Sequence, residues 1–118
     1  MTNWNTKKEG VLQFFFYKKH KYYVGVCLNL DIVEYGKDPV ELIRSVQEGA
    51  MTFVEGVQKK DLPDELLNKP APKEHWDRFH KYITSLKGKS RLTEVNEKDY
   101  VALSRTPYTS KGFVAPLC

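Results

Sequence analysis

The chain has 118 residues, 41% hydrophobic and 29% charged, with a formal net charge of +4. A chain of this length buries roughly two-thirds of its unfolded surface, so it folds as one domain, or one domain plus a tail, without a disulfide or metal staple. The composition excludes a disordered chain, and no apolar run approaches the roughly 18 residues of a transmembrane helix.

The charge is unevenly placed. Residues 1–58 carry seven Lys/Arg against seven Asp/Glu, whereas residues 59–118 carry twelve against eight and hold the whole surplus. A basic half of this size fits weak attraction to a nucleic acid or an acidic partner, and equally an ordinary solvated surface. The cysteines are Cys27, inside an apolar run, and Cys118, the last residue. No zinc-type Cys/His spacing is present, and two such thiols suit a reducing compartment. The opening MTNWNTKKEG has no apolar stretch and does not read as a signal peptide, so the expected location is the cytoplasm.

Residues 1–10 read as a polar lead-in in which Trp4 is placed to dock and which Gly10 ends. Val11 to Tyr17 is almost wholly apolar and aromatic, which is strand composition at strand length. Apolar residues of both parities predict a central or doubly covered strand. Lys18, Lys19, His20 and Lys21 interrupt the run and predict a hairpin loop, without the Asn-Gly or Asp-Gly that would set its register. Tyr22, Val24, Val26, Leu28 and Leu30 then share one parity, against Tyr23, Gly25, Cys27, Asn29 and Asp31. This alternation predicts a second strand with one face on a core. Ile32 to Tyr35 is a short third strand, ended by Gly36.

Asp38-Pro39-Val40-Glu41 is a helix start. Asp38 can accept from free backbone N–H groups, Pro39 loses nothing at the first helical position, and Glu41 is placed to reach back to the cap. Ile43, Val46, Ala50, Phe53 and Val57 then recur at spacings of three and four, with Leu42, Met51 and Val54 widening the stripe. The pattern predicts an amphipathic helix of about five turns laid on the sheet. The proline-rich connector 59–73 holds one turn at Asp64–Asn68. A second helix is expected from Pro72 to Leu86, with Trp76, Phe79, Ile83 and Leu86 as its apolar stripe and Gly88 as its terminator. Tyr100–Leu103 reads as a short extra strand, and Arg105–Cys118 as an irregular arm. The expected fold is thus α+β: a three-stranded antiparallel sheet in a ββ(β)α core, packed by an amphipathic helix, with a second C-terminal helix. Residues 1–88 form the domain and 89–118 an extension.

Candidate chemistry is sparse. A two-metal nuclease site needs several gathered carboxylates. Asp38 and Glu41 serve the helix start, and the odd separation of Asp31 and Glu34 puts them on opposite strand faces. His75 and His80 are five apart on a helix, about 140° around its axis, and cannot chelate one ion. His20 sits among lysines. There is no nucleophile elbow, no Gly-rich phosphate loop and no visible activator for Cys27. Catalytic, metal and cofactor sites are therefore expected to be absent. The candidate contact residues are Tyr17, Lys18, Lys19, His20 and Lys21 at the hairpin, with Arg78 and Lys81 on the second helix. Lysines among tyrosines suit RNA or single strands. The competing reading is a solvated tip whose lysines discourage edge aggregation. The second helix reads either as a carrier of Arg78, Lys81 and Lys87 to phosphates or as a lid over the remaining sheet face, and Trp76 and Phe79 favour the lid because they need burial.

The order strand–turn–strand–short strand–helix, with LNLDIVEYGKDPVELIRSVQEGAMTFVE after the second strand, resembles the HicB antitoxin superfamily. The matching positions are Leu28–Leu30 at the strand end, Gly36-Lys37-Asp38-Pro39-Val40-Glu41 at the helix start, and Phe53, Val54 and Glu55 towards the helix end. The likeness covers roughly residues 11–57. Asn29-Leu30-Asp31-Ile32 replaces the family's usual Pro-x-x-Gly-Cys segment, and no ribbon-helix-helix or helix-turn-helix follows residue 72. The resemblance implies an RNase H-like core without nuclease residues, a homo-oligomer, and in some members neutralisation of a small RNA-cleaving toxin. Together these readings give a non-enzymatic interaction module that binds a protein partner or itself. The alternative is a nucleic-acid-binding protein that uses Lys18–Lys21 and the basic C-terminal half.

Overall fold

The computed structural model describes residues 5–88 and 101–113. Strands β1 (Glu9–Lys19), β2 (Tyr22–Cys27) and β3 (Ile32–Gly36) precede helix α1 (Pro39–Lys59). A short 3-10 turn (Asp64–Leu67), helix α2 (Lys73–Gly88), and strands β4 (Val101–Thr109) and β5 (Gly112–Phe113) complete the described chain. Trp4, Tyr100 and Cys118, and the side chains of Leu86 and Lys87, lie outside the described residues.

The five strands form one antiparallel sheet in the order β3-β2-β1-β4-β5. The three-stranded expectation is therefore extended by two strands, and the expected irregular arm over 105–113 is corrected. β4 pairs with β1 from Glu9↔Thr109 to Tyr17↔Val101. Its alternate residues Ala102, Ser104, Thr106 and Tyr108 stand opposite β1 residues of the α1 face. Small or polar at three of these four positions, they carry no hydrophobic alternation to read. Pro107 fits because β5 pairs only with Tyr108 and Thr109, leaving the outer side of β4 without a ladder at the proline among the described residues.

β1 lies at the centre of the sheet and is buried on both faces, as its run of mixed-parity aromatics predicts. Phe14 and Phe16 point to α1, joined there by Leu12, Cys27, Leu42, Val46, Ala50, Val54, Val57 and Tyr108. Phe15 and Tyr17 point to the opposite face, with Val24, Val26 and Leu28, under Trp76, Phe79 and Tyr82 of α2. The molecule is a three-layer helix–sheet–helix sandwich, which lets both parities of β1 and β2 be apolar.

Asp38 starts α1 as expected, its carboxylate accepting from the N–H groups of Val40 (2.9 Å) and Glu41 (3.3 Å). The buried stripe is narrower than the periodicity suggests: Leu42, Val46, Ala50, Val54 and Val57. Ile43 and Met51 lie at its margin and Phe53 is 38% exposed, so the expectation that Phe53 belongs to the core stripe is corrected. The helix runs over β2 and β3 close enough that no side chain fits beneath it at Gly25. A Cβ there would stand 2.9 Å from Val46 Cγ2 and 2.9 Å from the Phe16 ring.

The second layer is anchored through the connector. Lys69 donates its N–H to the Asn29 carbonyl (2.9 Å) and Ala71 donates to Leu28 (3.0 Å). This short bridge at the end of β2 sets α2 across the Phe15 face. At the same end of the sheet a polar knot beside this bridge holds the segment from Asn5 to Val11. Asn68 accepts from the Asn5 N–H (2.8 Å) and donates to the Asn5 carbonyl (2.8 Å), imitating a strand pairing with one side chain. Asn5 donates to the Leu67 carbonyl and accepts from the Val11 N–H, and Tyr108 donates to the Thr6 carbonyl.

Candidate interaction surface at the hairpin and the edge strand

β1 and β2 continue through Lys18 and Lys19, which pair with Tyr23 and Tyr22. The connection is therefore the two residues His20-Lys21, shorter than the four-residue loop expected. Such a tight hairpin needs a positive φ, and His20 supplies it at 58°. Histidine visits this region more readily than most residues with a Cβ, though at some cost relative to glycine.

Pleating splits the lysines between the two faces. Lys18 lies on the α1 face beside Tyr23, its ammonium 5.8 Å from that ring's centroid. Lys19 lies on the α2 face opposite Tyr22. The basic tip is thus not one patch. His20 and Lys21 are exposed at the turn.

Tyr17 is only 5% exposed, so it supports the surface and does not itself present a ring to solvent. The Arg78 guanidinium lies over that ring at 4.5 Å, and the hydroxyl is 3.5 Å from His75 Nδ1. His75 is buried, with Nε2 3.6 Å from the Glu74 carboxylate. Burial pushes the Tyr17 phenol above its ordinary pKa, with the Arg78 charge opposing the rise. The sequence-predicted residues Tyr17 and Arg78 are therefore brought together as one stack, and Lys81 is exposed on the next turn of α2. Trp76 Nε1 is buried without a hydrogen-bond partner among the described residues.

Register adds a residue that the sequence reading missed. Tyr17, Val24 and Tyr35 stand in one row across three strands, so Tyr35 belongs to the α2 face. It is 63% exposed, and its ring lies 5.7 Å from that of Tyr22 at an interplanar angle of 59°. The signal was Tyr35 at the end of the third strand. Its place beside Tyr22 depends on the β2–β3 register.

The opposite flank is acidic. Glu41, Glu48 and Glu55 recur every seven residues along the outer side of α1, and all are exposed. Asp31 and Asp38 are exposed at the two ends of β3. Glu34, at mid-strand, accepts from the Ser45 hydroxyl at 2.6 Å. Among the described residues no group of three or more His, Cys, Asp or Glu side chains is placed to hold a metal ion. Cys27 lies in the core with its thiol pKa pushed up to about 12 by burial, so it is not a nucleophile at neutral pH. Among the described residues no helix is long and apolar enough to cross a membrane.

No family model, curated protein or solved structure matches this chain.

Proposed function

We propose that the protein is a non-enzymatic interaction module of the cytoplasm that binds a protein partner along β3 and the outer side of α1, in the manner its resemblance to HicB antitoxins implies. The observation that carries this reading is the edge position of β3. The strand is Ile-Val-Glu-Tyr-Gly, with none of the lysines or prolines that commonly blunt an edge. A partner strand can add there through main-chain hydrogen bonds.

Charge selects the kind of partner. Asp31, Glu34, Asp38, Glu41, Glu48 and Glu55 line this side of the molecule and outnumber the exposed Lys37 and Arg44 among them. They favour a basic protein, and a small RNA-cleaving toxin is the partner the resemblance implies. Two copies joined antiparallel about the midpoint of β3 would set Glu34 against Glu34, and like charges directly opposed are unfavourable. Self-association through β3 is thus the weaker form of the same reading.

Glu34→Lys tests it. The change places a lysine mid-edge and reverses the charge there. Affinity capture from the native host should retain a small basic protein on the wild-type chain and lose it with this variant, while circular dichroism stays unchanged. A basic partner held equally by both proteins would sink the assignment to this edge. A monomer that retains nothing would sink the reading as a whole.

A further inference from the structure

The structure points to a second, separate contact surface: we infer that the hairpin end of the α2 face binds single-stranded nucleic acid, with Tyr35 as the stacking ring. This goes beyond the partner reading, because it uses side chains on the α2 face, whereas that reading uses the backbone edge of β3 and the outer side of α1. Three observations converge on it. The first is the exposed Tyr35 ring beside Tyr22. The two planes are steeply inclined, so they form a notch in which one base stacks on Tyr35 while Tyr22 walls its edge. The second is charge. Lys19 faces this side opposite Tyr22, Lys21 and Lys37 are exposed at the same end of the sheet, Arg78 of α2 stands over Tyr17, and Lys81 is exposed on the next turn of that helix. Glu74 and Asp38, the latter engaged at the start of α1, oppose them, while Lys73 and Asp77 pair with each other at 2.8 Å. The third is rigidity. Arg78 is held against the buried Tyr17 ring, a partly preorganised cation at the foot of the row that leads to Tyr35.

An aromatic ring flanked by cations matches a ligand that is flat and apolar in one part and anionic in the next. Unpaired nucleotides have that alternation, whereas in a duplex the base faces are already stacked on one another. An acidic peptide would satisfy the lysines and leave the tyrosine notch unused.

The test is fluorescence anisotropy of a labelled single strand of about 12 nucleotides, as RNA and as DNA, titrated with the full chain at low salt. Binding should weaken steeply with salt. Tyr35→Ala should reduce affinity roughly fivefold to a hundredfold, as for the loss of one stacked base, and leave the salt slope unchanged. Tyr35→Phe should keep the affinity. Lys19→Ala should lower the salt slope by about 0.7, because one phosphate fewer is neutralised. Both positions are exposed or marginal to the core, and unchanged melting temperatures would confirm intact variants. No anisotropy change at low salt overturns the proposal, as does an affinity indifferent to Tyr35→Ala. Equal competition by poly-glutamate would assign the surface to an acidic protein and overturn it too. Glu34→Lys should not weaken this binding, because it adds positive charge on the opposite face, so failure here and failure of the β3 partner reading are separable.

Discussion

Gly25→Ala reports how closely α1 approaches the sheet. The added Cβ would stand 2.9 Å from Val46 Cγ2 and from two Phe16 ring carbons, where carbon–carbon contacts are comfortable at roughly 3.5–4.0 Å. β2 cannot retreat, because it is laddered to β1 on one side and β3 on the other. Phe16 has little room to swing, since it stacks on Phe14 at 7° between planes. The strain therefore goes into lifting α1 by roughly 0.5–1 Å, which forfeits about a quarter to a half of the contact energy beneath it. Overpacking of this kind costs about 1–3 kcal/mol, and stiffening the unfolded chain returns about 0.4–1 kcal/mol. The expected net loss is about 1–2 kcal/mol, a fall in Tm of about 3–8 °C. Urea and thermal melts followed by circular dichroism measure it. Val46→Ala removes the opposing methyls, so the double variant should be less destabilised than the two singles together, by about 1 kcal/mol. A neutral or stabilising Gly25→Ala, or strict additivity with Val46→Ala, would refute the close approach of helix and sheet.

Three further outcomes follow from the same structure. Asn68→Ala removes three hydrogen bonds, two of them to the Asn5 backbone. It should cost about 2–3 kcal/mol and speed amide hydrogen exchange at the start of β1; unchanged exchange there would show that the N-terminus is held by other means. Stability should fall as pH rises from about 9 towards 12. Cys27 and Tyr108 both have pKa values pushed up to about 12 by burial, so their contribution is complete below the unfolded values and drains as pH climbs to the folded ones. A Cys27→Ala, Tyr108→Phe variant should show a flatter denaturation midpoint across that window than wild type. His20→Gly relieves a left-handed residue at the hairpin and should raise stability by up to about 1 kcal/mol in urea melts; a loss would mean that the histidine side chain makes a contact worth more than the strain.

The N-terminal half of the fold was legible because its signals are local. The aromatic run of β1, the alternation of β2 and the Asp38-Pro39 start of α1 are each written within a few consecutive residues. β4 was not legible beyond Leu103. Ser104 and Thr106 occupy core-facing positions without hydrophobic character, and they are held by pairing with the strongly specified β1. The hairpin showed the same limit. Its four polar residues were visible, but the ladder carries two of them and leaves a two-residue turn. The candidate surface was half visible. Lys19 and Arg78 were legible as cations near tyrosines, whereas Tyr35 entered only through the β2–β3 register.

By itself the sequence determined the types and order of β1 to α2, the capped start of α1 and the doubly apolar centre of the sheet. Those features follow from periodicity and from side chains that satisfy the backbone a few residues away. Only the tertiary structure decided which lysine goes to which face, that Tyr17 is a foundation and not a contact, and that Tyr35, Arg78 and Lys19 share one face of the sheet. The reason is geometric. Strand pairing sets neighbours by register, a one-residue slip reverses every face, and no local pattern encodes the partner strand.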